Sequence, residues 1–180
     1  MKPIMIAVAG GIGAGKSEFV RALADRMGAA ISGFGDFVRD EAAARGISSS
    51  RENLQTLGEK LKQDLGDEEF ARRVITRAPT TGAIVIDGVR HSEMADAIAR
   101  VVAPQRFVLI FLDADDELRR ARVAARRPDE VGRLAELASH STERQVHDGS
   151  LRERADLVLD ARAPVPDLVR EAIATLGIDD

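Results

Sequence analysis

The 180-residue chain contains no cysteine and only three histidines. Without cysteine, disulfides, thiolate metal sites and a cysteine nucleophile are all excluded. With so few histidines, a metal centre built from imidazole ligands is not expected. No run of about 18 apolar residues is present, so the sequence predicts no membrane-spanning helix. The first apolar run begins at residue 4 with no signal-peptide layout before it, which predicts a cytoplasmic protein.

The chain also has little excess charge, and the small excess is acidic. It carries 26 lysines and arginines against 30 aspartates and glutamates, a formal net charge of −4. This balance argues against a general nucleic-acid-binding or anionic-membrane surface, although basic residues can still converge on one cleft. No repeat, low-complexity tract or linker divides the sequence, so we expect a single domain over residues 1–180. Monomer and homodimer both remain open.

One short stretch carries a specific motif. Residues 10–17 read GGIGAGKS, directly after the apolar run IMIAVA at 4–9, and they match the phosphate-loop pattern G-x-x-x-x-G-K-[ST]. Glycines let the backbone wrap closely around a phosphate chain with its N–H groups pointing at the anion. In this pattern Lys16 reaches the terminal phosphates and the Ser17 hydroxyl is a Mg²⁺ ligand, while the following helix presents its positive end.

The alternative interpretation of this stretch is a glycine-rich turn between a strand and a helix. The context favours the phosphate loop, because an apolar strand precedes it and apolar residues recur at helical spacing through 17–27. The sequence therefore predicts a site for ATP with Mg²⁺. The residues of the stretch expected to bind the nucleotide are Gly10, Gly11, Ile12, Gly13, Ala14, Gly15, Lys16, Ser17 and Glu18.

Strand and helix signals alternate along the whole chain. The predicted strands are 4–9, 29–32, 83–87, 106–112 and 155–159. The predicted helices with simple bounds are 17–27, 36–45, 92–102, 115–127 and 165–176. Two more are predicted between residues 49 and 79. The first is opened by a capping box SSRE at 49–52 and ended by Gly66, and the second runs from 67 to the Ala-Pro at 78–79. This alternation predicts an α/β fold of three layers, a parallel five-stranded sheet with helices on both faces. Ligands of such sheets bind beyond the carboxyl ends of the strands, so residues 33–39, 87–91 and 113–116 should surround one cleft with the phosphate loop.

Charged side chains after the second and third strands are candidates for the acceptor side of this cleft. Asp87, at the end of an apolar strand, is expected beside the substrates and can hold Mg²⁺ through water as a Walker-B-like carboxylate; a cap or turn acid is the alternative. Asp36 can bind an acceptor or act as base toward a hydroxyl, and its alternative is the N-cap of the next helix. Arg39 and Arg90 can each clamp an anionic acceptor through two hydrogen bonds, or can be solvated surface arginines.

These clusters resemble a known family. GDFVR at 35–39 resembles the G-D-x-x-R segment of adenylate-kinase-type nucleoside monophosphate kinases, whose arginine binds the acceptor's phosphate. VIDGVR at 85–90 resembles their D-G-F-P-R segment, one residue short and without the proline. ADDELRRARVAAR at 114–126 is similar to their helix leading into the lid, which implies that Arg122 and Arg126 supply arginines to the phosphates and the base; a solvated helix face is the alternative for both.

The resemblance implies the P-loop NTPase fold of these kinases, with a helical acceptor-binding insert at about 36–78 and a short lid at about 122–147. The segments GDFVRDEAAARG, RENLQTLGEKL and IDGVR are also similar to a group described as adenylate-kinase-like or dephospho-coenzyme-A-kinase-like. That likeness supports a kinase fold and does not identify the acceptor. The lid region, with the sequence HSTER at 140–144 inside it, also leaves the acceptor open.

The leading hypothesis for function is a kinase that moves the γ-phosphoryl group of ATP to a small, anionic, nucleotide-like acceptor. Its expected catalytic residues are Lys16, Asp36 and Arg126, because phosphoryl transfer depends on positioning and positive charge. The alternatives are a P-loop ATPase or switch coupled to a protein partner and a kinase acting on polynucleotide hydroxyls. No N-K-x-D guanine motif is present, which counts against a GTPase switch.

Overall fold

The computed structural model describes residues 4–79, 82–126 and 149–178 of the chain. Five strands form one sheet: β1 Ile4–Ala9, β2 Ala30–Gly33, β3 Ile84–Asp87, β4 Arg106–Asp113 and β5 Leu157–Asp160. The helices are α1 Lys16–Met27, α2 Phe34–Ala44, α3 Arg51–Leu65, α4 Asp67–Ile75, α5 Ser92–Val102, α6 Asp116–Arg126, α7 Ser150–Arg154 and α8 Val165–Leu176. None of the described helices is long and apolar enough to cross a membrane.

The sheet is parallel throughout, with the strand order β2-β3-β1-β4-β5. Strand β1 lies at its centre and all six of its residues are buried, which is why its sequence is a continuous apolar run rather than an alternating one. The fold class predicted from the sequence is confirmed.

Two apolar layers cover the faces of the sheet. Met5 and Ala7 of β1 pack with the helices from α2 to α5, whose buried side chains include Phe37 and Phe70. Ile6 and Val8 point to the opposite face and pack with α1 and α8. Each large side chain buried in this way contributes about 1.5–3 kcal/mol of transfer free energy. Successive side chains of a strand point to opposite faces of the sheet, so strands that are apolar along their whole length bury side chains in both layers, and the three-layer arrangement follows.

The helical insert α2–α4 is fixed to the edge strand β2. Phe70 of α4 packs edge-on against Phe34 with 5.1 Å between ring centroids and lies 5.7 Å from the Phe37 ring. The buried Ser32 hydroxyl of β2 donates a 2.6 Å hydrogen bond to the carbonyl oxygen of Val74 at the end of α4. These contacts set the position of the first turn of α2, where the candidate Asp36 lies.

The start of α3 corrects the sequence prediction by one residue. The N-cap is Ser50, whose hydroxyl accepts a 3.3 Å hydrogen bond from the Asn53 backbone N–H. The predicted box needed Ser49 as the cap and Glu52 as its reciprocal partner, and that assignment was wrong. The Asn53 side-chain amide donates a 2.7 Å hydrogen bond back to the Ser48 hydroxyl. Asn53 therefore holds the segment that leads into α3, the role that Glu52 would have had in the predicted box.

Other helix boundaries differ from the predicted ones by a few residues. Helix α2 begins at Phe34 instead of residue 36, because strand β2 runs directly into it and Gly33 serves as both strand end and N-cap. Helix α4 ends at Ile75, before the predicted Ala-Pro stop, where the Thr76 N–H still bonds the Arg72 carbonyl at 2.9 Å. Residues 127–148, which hold most of the predicted lid, lie outside the described residues, and α7 follows them at Ser150–Arg154.

Candidate functional site

The phosphate loop joins the central strand β1 to helix α1. Gly10, Gly13 and Gly15 adopt φ values of 146°, 83° and 93°, which residues with a Cβ rarely take. Gly15 is also the N-cap of α1 and has no side chain to bond the first N–H groups of the helix. The loop therefore presents backbone N–H groups and the positive end of the α1 dipole at one place, as an anion site requires.

The Lys16 side chain folds back over this loop. Its ammonium donates hydrogen bonds of 2.6 Å to the Gly10 carbonyl and 2.9 Å to the Gly11 carbonyl. The charge is thus held at the rim of the loop, close to the N–H groups of the helix start. That Lys16 neutralises terminal phosphates stays a prediction of the motif.

Asp36 and Asp87 lie on either side of Gly33. Asp87 ends β3 and is in register with Val8 of β1 and with Gly33 of β2. A Cβ built on Gly33 would lie 3.2 Å from Asp36 Oδ2 and 3.8 Å from the Asp87 Cβ. Gly33 has extended φ and ψ angles that any residue can adopt, so a glycine is needed here for space: it admits both acidic residues beside the strand ends.

The helix-capping alternatives for these two acids are not what the structure shows. The N-cap of α2 is Gly33, and Asp36 is the third residue of the helix. The N-cap of α5 is His91, four residues beyond Asp87. Neither carboxylate is therefore the N-cap of the helix that follows it.

The two arginines that are predicted to bind the acceptor, Arg39 and Arg90, lie on neighbouring elements. Arg39 Nη2 donates a 2.5 Å hydrogen bond to Asp36 Oδ1, and the two side chains are 54% and 60% exposed. Arg90 is exposed and follows the buried Val89 in the loop after β3. That loop packs on the start of α2, since a Cβ on Gly88 would lie 3.8 Å from the Phe34 Cβ. The fold thus brings both segments to one edge of the sheet.

Helix α6 lies against the phosphate loop through two arginines. Arg122 donates hydrogen bonds to the Ala14 carbonyl of the loop at 2.9 Å and to the Ala161 carbonyl after β5 at 2.7 Å. The Arg122 guanidinium thus holds two backbone carbonyls beside the loop, and its contact with phosphates or a base stays a prediction. Arg119 touches Gly11 and Gly13, although the sequence assigned it no role.

A signal for Arg119 was present in the sequence. One face of α6 carries three arginines at the spacing i, i+3 and i+7, namely Arg119, Arg122 and Arg126. The structure is needed to show that this face docks on the phosphate loop. Arg126 is the last residue of α6. Its side chain and most of the predicted lid at 122–147 lie outside the described residues, so their roles stay predictions.

The start of α6 is tied to the strand ends by Asp115. Asp115 Oδ1 accepts a 2.8 Å hydrogen bond from the Leu118 N–H, and Oδ2 pairs with Arg162 after β5. The backbone hydrogen bond from Leu118, together with the positive charge of Arg162, lowers the pKa of Asp115 below its ordinary value. Asp115 is the capping acid of α6, one residue before the helix begins.

A cavity of about 430 Å³ opens beside the acidic residues, lined by Ile31, Ser32, Gly33, Asp36 and Arg77. The Arg77 guanidinium lies 5.8 Å from the centre of the Phe37 ring and pairs with Asp40. A second cavity of about 410 Å³ lies at the ends of β4 and β5, lined by Asp113, Asp115, Arg152, Val158, Asp160 and Arg162. The first cavity shares Asp36 with the candidate site and has the size of a small-ligand pocket.

Comparison with known proteins places the chain in a family. Residues 9–139 match the family described as AAA domain. The chain is 32% identical over 124 residues to a UPF0200 protein of Aeropyrum pernix, a match that covers 69% of this chain and 65% of that relative.

Solved structures share the fold over nearly their whole length. A putative kinase from Chloroflexus aurantiacus superposes with a TM-score of 0.62 at 15% identity and 100% coverage of both chains. Shikimate kinase from Acinetobacter baumannii in complex with shikimate has a TM-score of 0.60 at 16% identity, covering 98% of this chain and 93% of that one. Identities this low show the fold alone. The chain therefore belongs to the AAA domain family and has a P-loop kinase-like fold.

Proposed function

We propose that the protein is a phosphotransferase that moves the γ-phosphoryl group of ATP to a small anionic acceptor, nucleotide or nucleotide-like. One observation carries the proposal: Asp87 is in register with Val8 on one side and Gly33 on the other. The strands before the loops that follow β1, β2 and β3 therefore end side by side, which supports a site in which the phosphate loop faces Asp36, Asp87, Arg39 and Arg90. A site that only binds ATP does not need a second set of charged side chains for an acceptor.

The described residues fit ATP and Mg²⁺. A Cβ on Gly10 would lie 2.7 Å from the Leu112 carbonyl oxygen, so this glycine lets the loop lie close against the end of β4, and the glycines of the loop leave its backbone N–H groups accessible to phosphates. Ser17 is the second residue of α1 and Asp87 ends β3; their side chains are oxygen donors of the kind that Mg²⁺ prefers alongside phosphate oxygens. When bound, Mg²⁺ neutralises phosphate charge and holds the β- and γ-phosphates in position.

Each side chain has a role in the transfer. The bond from Pγ to the bridging oxygen of ADP breaks, and a bond from Pγ to the acceptor oxygen forms. Lys16 stabilises the negative charge on the transferring group. Arg39 and Arg90 bind the anionic group of the acceptor. Arg126 and Arg122 assist at the phosphates and the base of ATP. Asp36 orients the acceptor, and it takes the proton when the acceptor group is a hydroxyl.

A hydroxyl acceptor is the second candidate, and the position of Asp36 favours it. The carboxylate is not used as the N-cap of α2, and it lines the cavity of about 430 Å³ beside the cleft. A base is needed for a hydroxyl acceptor and not for a phosphate acceptor, which is already ionised at neutral pH. The shikimate kinase of similar fold makes shikimate one of the hydroxyl compounds to include in a test.

The experiment is an acceptor panel scored by ADP release from ATP and Mg²⁺. It contains nucleoside monophosphates, dephospho-coenzyme A, nucleosides and shikimate, with the Lys16→Ala variant as control. We expect one class of acceptor to raise ADP release well above the acceptor-free rate in the wild type only. ADP release that ignores every acceptor would replace this proposal by the P-loop ATPase alternative. A cytoplasmic location and the single domain over 1–180 stay predictions.

A further inference from the structure

Two glycines of the phosphate loop occupy positions that the motif leaves open. In G-x-x-x-x-G-K-S the required glycines are Gly10 and Gly15, while Gly11 and Gly13 stand at x positions. Gly11 is not among the glycines with positive φ, so its backbone conformation would accept another residue. A Cβ there would lie 2.7 Å from Arg119 Nη1, 3.2 Å from Cδ and 3.3 Å from Cζ. Gly11 therefore leaves room for the Arg119 side chain.

Gly13 meets the backbone of the same residue. A Cβ on Gly13 would lie 2.7 Å from the Arg119 carbonyl oxygen and 3.1 Å from its Cα. Helix α6 thus contacts the loop twice through one residue, by main chain at Gly13 and by side chain at Gly11. The Arg119 side chain is only 13% exposed and pairs with Asp116 one turn earlier. A cation this well covered is held in one orientation by its surroundings.

We propose that Arg119 is a positioning residue for the nucleotide site, one that anchors α6 on the phosphate loop at Gly11 and Gly13. This inference rests on the nucleotide-binding part of the proposed function. A loop with four glycines loses much conformational entropy when it is ordered around a phosphate chain. Contact with Arg119 orders the loop before the ligand arrives, so less of the binding free energy is lost at that moment. The planar guanidinium fits the space over Gly11, which a lysine ammonium does not fill.

The inference predicts coupling between Arg119 and Gly11. Arg119→Ala should weaken the binding of Mg·ATP and of inorganic tripolyphosphate about tenfold, a loss typical of one well-placed contact. Gly11→Ala should act in the same direction, because its methyl group displaces the guanidinium. The Gly11→Ala/Arg119→Ala double variant should bind no more weakly than Arg119→Ala alone, since the added methyl group then meets an empty space.

Two matched variants separate positioning from charge. Arg120→Ala removes an exposed arginine from the same helix and should keep wild-type affinity. Arg119→Lys keeps the charge and should restore only a minor part of the lost affinity. In turnover with an acceptor, Arg119→Ala should raise the KM for ATP by more than it lowers kcat.

The wild type and the three variants of the cycle are also measured in urea unfolding of the full chain, without ligand. We expect non-additive changes in the free energy of unfolding for Gly11 and Arg119. Additive changes in both binding and unfolding, or full rescue by Arg119→Lys, would overturn the inference while the proposed function stands. A wild type that binds neither Mg·ATP nor tripolyphosphate would overturn the proposed function and the nucleotide role of Arg119 together, and the unfolding cycle would then report only the contact itself.

Discussion

Lys16 is the single residue on which the chemistry depends most. Its ammonium lies over the Gly10 and Gly11 carbonyls, and its removal takes away a charge that stabilises the transferring phosphoryl group. Lys16→Ala should lower kcat/KM for ATP about 10²–10³-fold and leave the fold intact, because the side chain is not part of either apolar layer. Steady-state kinetics with circular dichroism checks this. Lys60→Ala, an exposed lysine of α3, is the control, and a folded Lys16→Ala protein with wild-type turnover would contradict the prediction.

Asp87 is predicted to act through Mg²⁺. The nearly isosteric Asp87→Asn variant keeps the shape of the side chain at the end of β3 and removes its charge. The Mg²⁺ concentration that gives half-maximal activity should rise, while metal-free ATP binding should change little. Activity is titrated against Mg²⁺ for this variant and for Asp25→Asn on the exposed surface of α1. Superimposable Mg²⁺ profiles of Asp87→Asn and the wild type would show that Asp87 is structural.

His91 gives a residue-scale prediction about pH. Burial lowers the pKa of His91 below its ordinary value of 6.5, and the positive charges of Lys62 and Arg90 lower it further against the opposing charges of Glu93 and Asp67. As the pH falls, the unfolded chain therefore binds a proton at this histidine at a higher pH than the folded chain does. Stability contributed by neutral His91 is present above about pH 6.5 and is lost as the pH falls toward the lowered folded pKa.

Urea unfolding of the wild type and His91→Gln between pH 8 and 5 measures this effect. The other histidines, 140 and 147, are present in both proteins, so the difference between the two curves reports His91. The wild type should lose more stability than the variant as the pH falls through that window. Parallel curves would show that the pKa of His91 is not lowered by folding.

At the same scale, the loop residues could be predicted from the sequence and Arg119 could not. The positive φ values of Gly10, Gly13 and Gly15 are a matter of local backbone geometry, so a short pattern is enough to predict the loop. The contact of Arg119 with Gly11 joins residues more than a hundred positions apart, and it depends on how α6 docks. Asp36 was similarly ambiguous, because its distance from the true N-cap became clear only when α2 was seen to begin at Phe34.

Among the elements, α3 depends on a cap that can be tested directly. Ser50→Ala removes the acceptor for the Asn53 N–H and should reduce the free energy of unfolding by about 1 kcal/mol. Ser49→Ala should change it little, since the structure shows Ser50 as the cap. Urea titration of the two variants distinguishes the structural assignment from the one-residue-earlier box. A larger loss for Ser49→Ala would contradict the structure.

Helices with a clear apolar stripe were predicted to the residue, and helices that continue from buried strands were not. Helices α5 and α8 run over 92–102 and 165–176 as predicted, because polar or Pro residues bound a regular apolar stripe. Helix α2 extends back to the buried Phe34, since packing against Phe70 holds the first turn that the local sequence left undecided.

For the whole molecule, the alternation of strands and helices predicted a parallel sheet but not its strand order. Strand β1 pairs with β3 and β4, while β2 lies at the edge. Which strands become neighbours depends on how far each crossover carries the chain, and the helical insert α2–α4 lies between β2 and β3. The pairing of β1 with β3 places the loop after β1 next to Asp87.

The central claim is that the γ-phosphoryl group of ATP moves to an organic acceptor and not to water. Its most direct test is the fate of the label from [γ-³²P]ATP incubated with Mg²⁺, the wild-type protein and the best acceptor of the panel. We expect the label to appear on the acceptor in a one-to-one ratio with the ADP formed, and Lys16→Ala to transfer none at a measurable rate. Label that appears only as inorganic phosphate, at a rate unaffected by the acceptor, would contradict it.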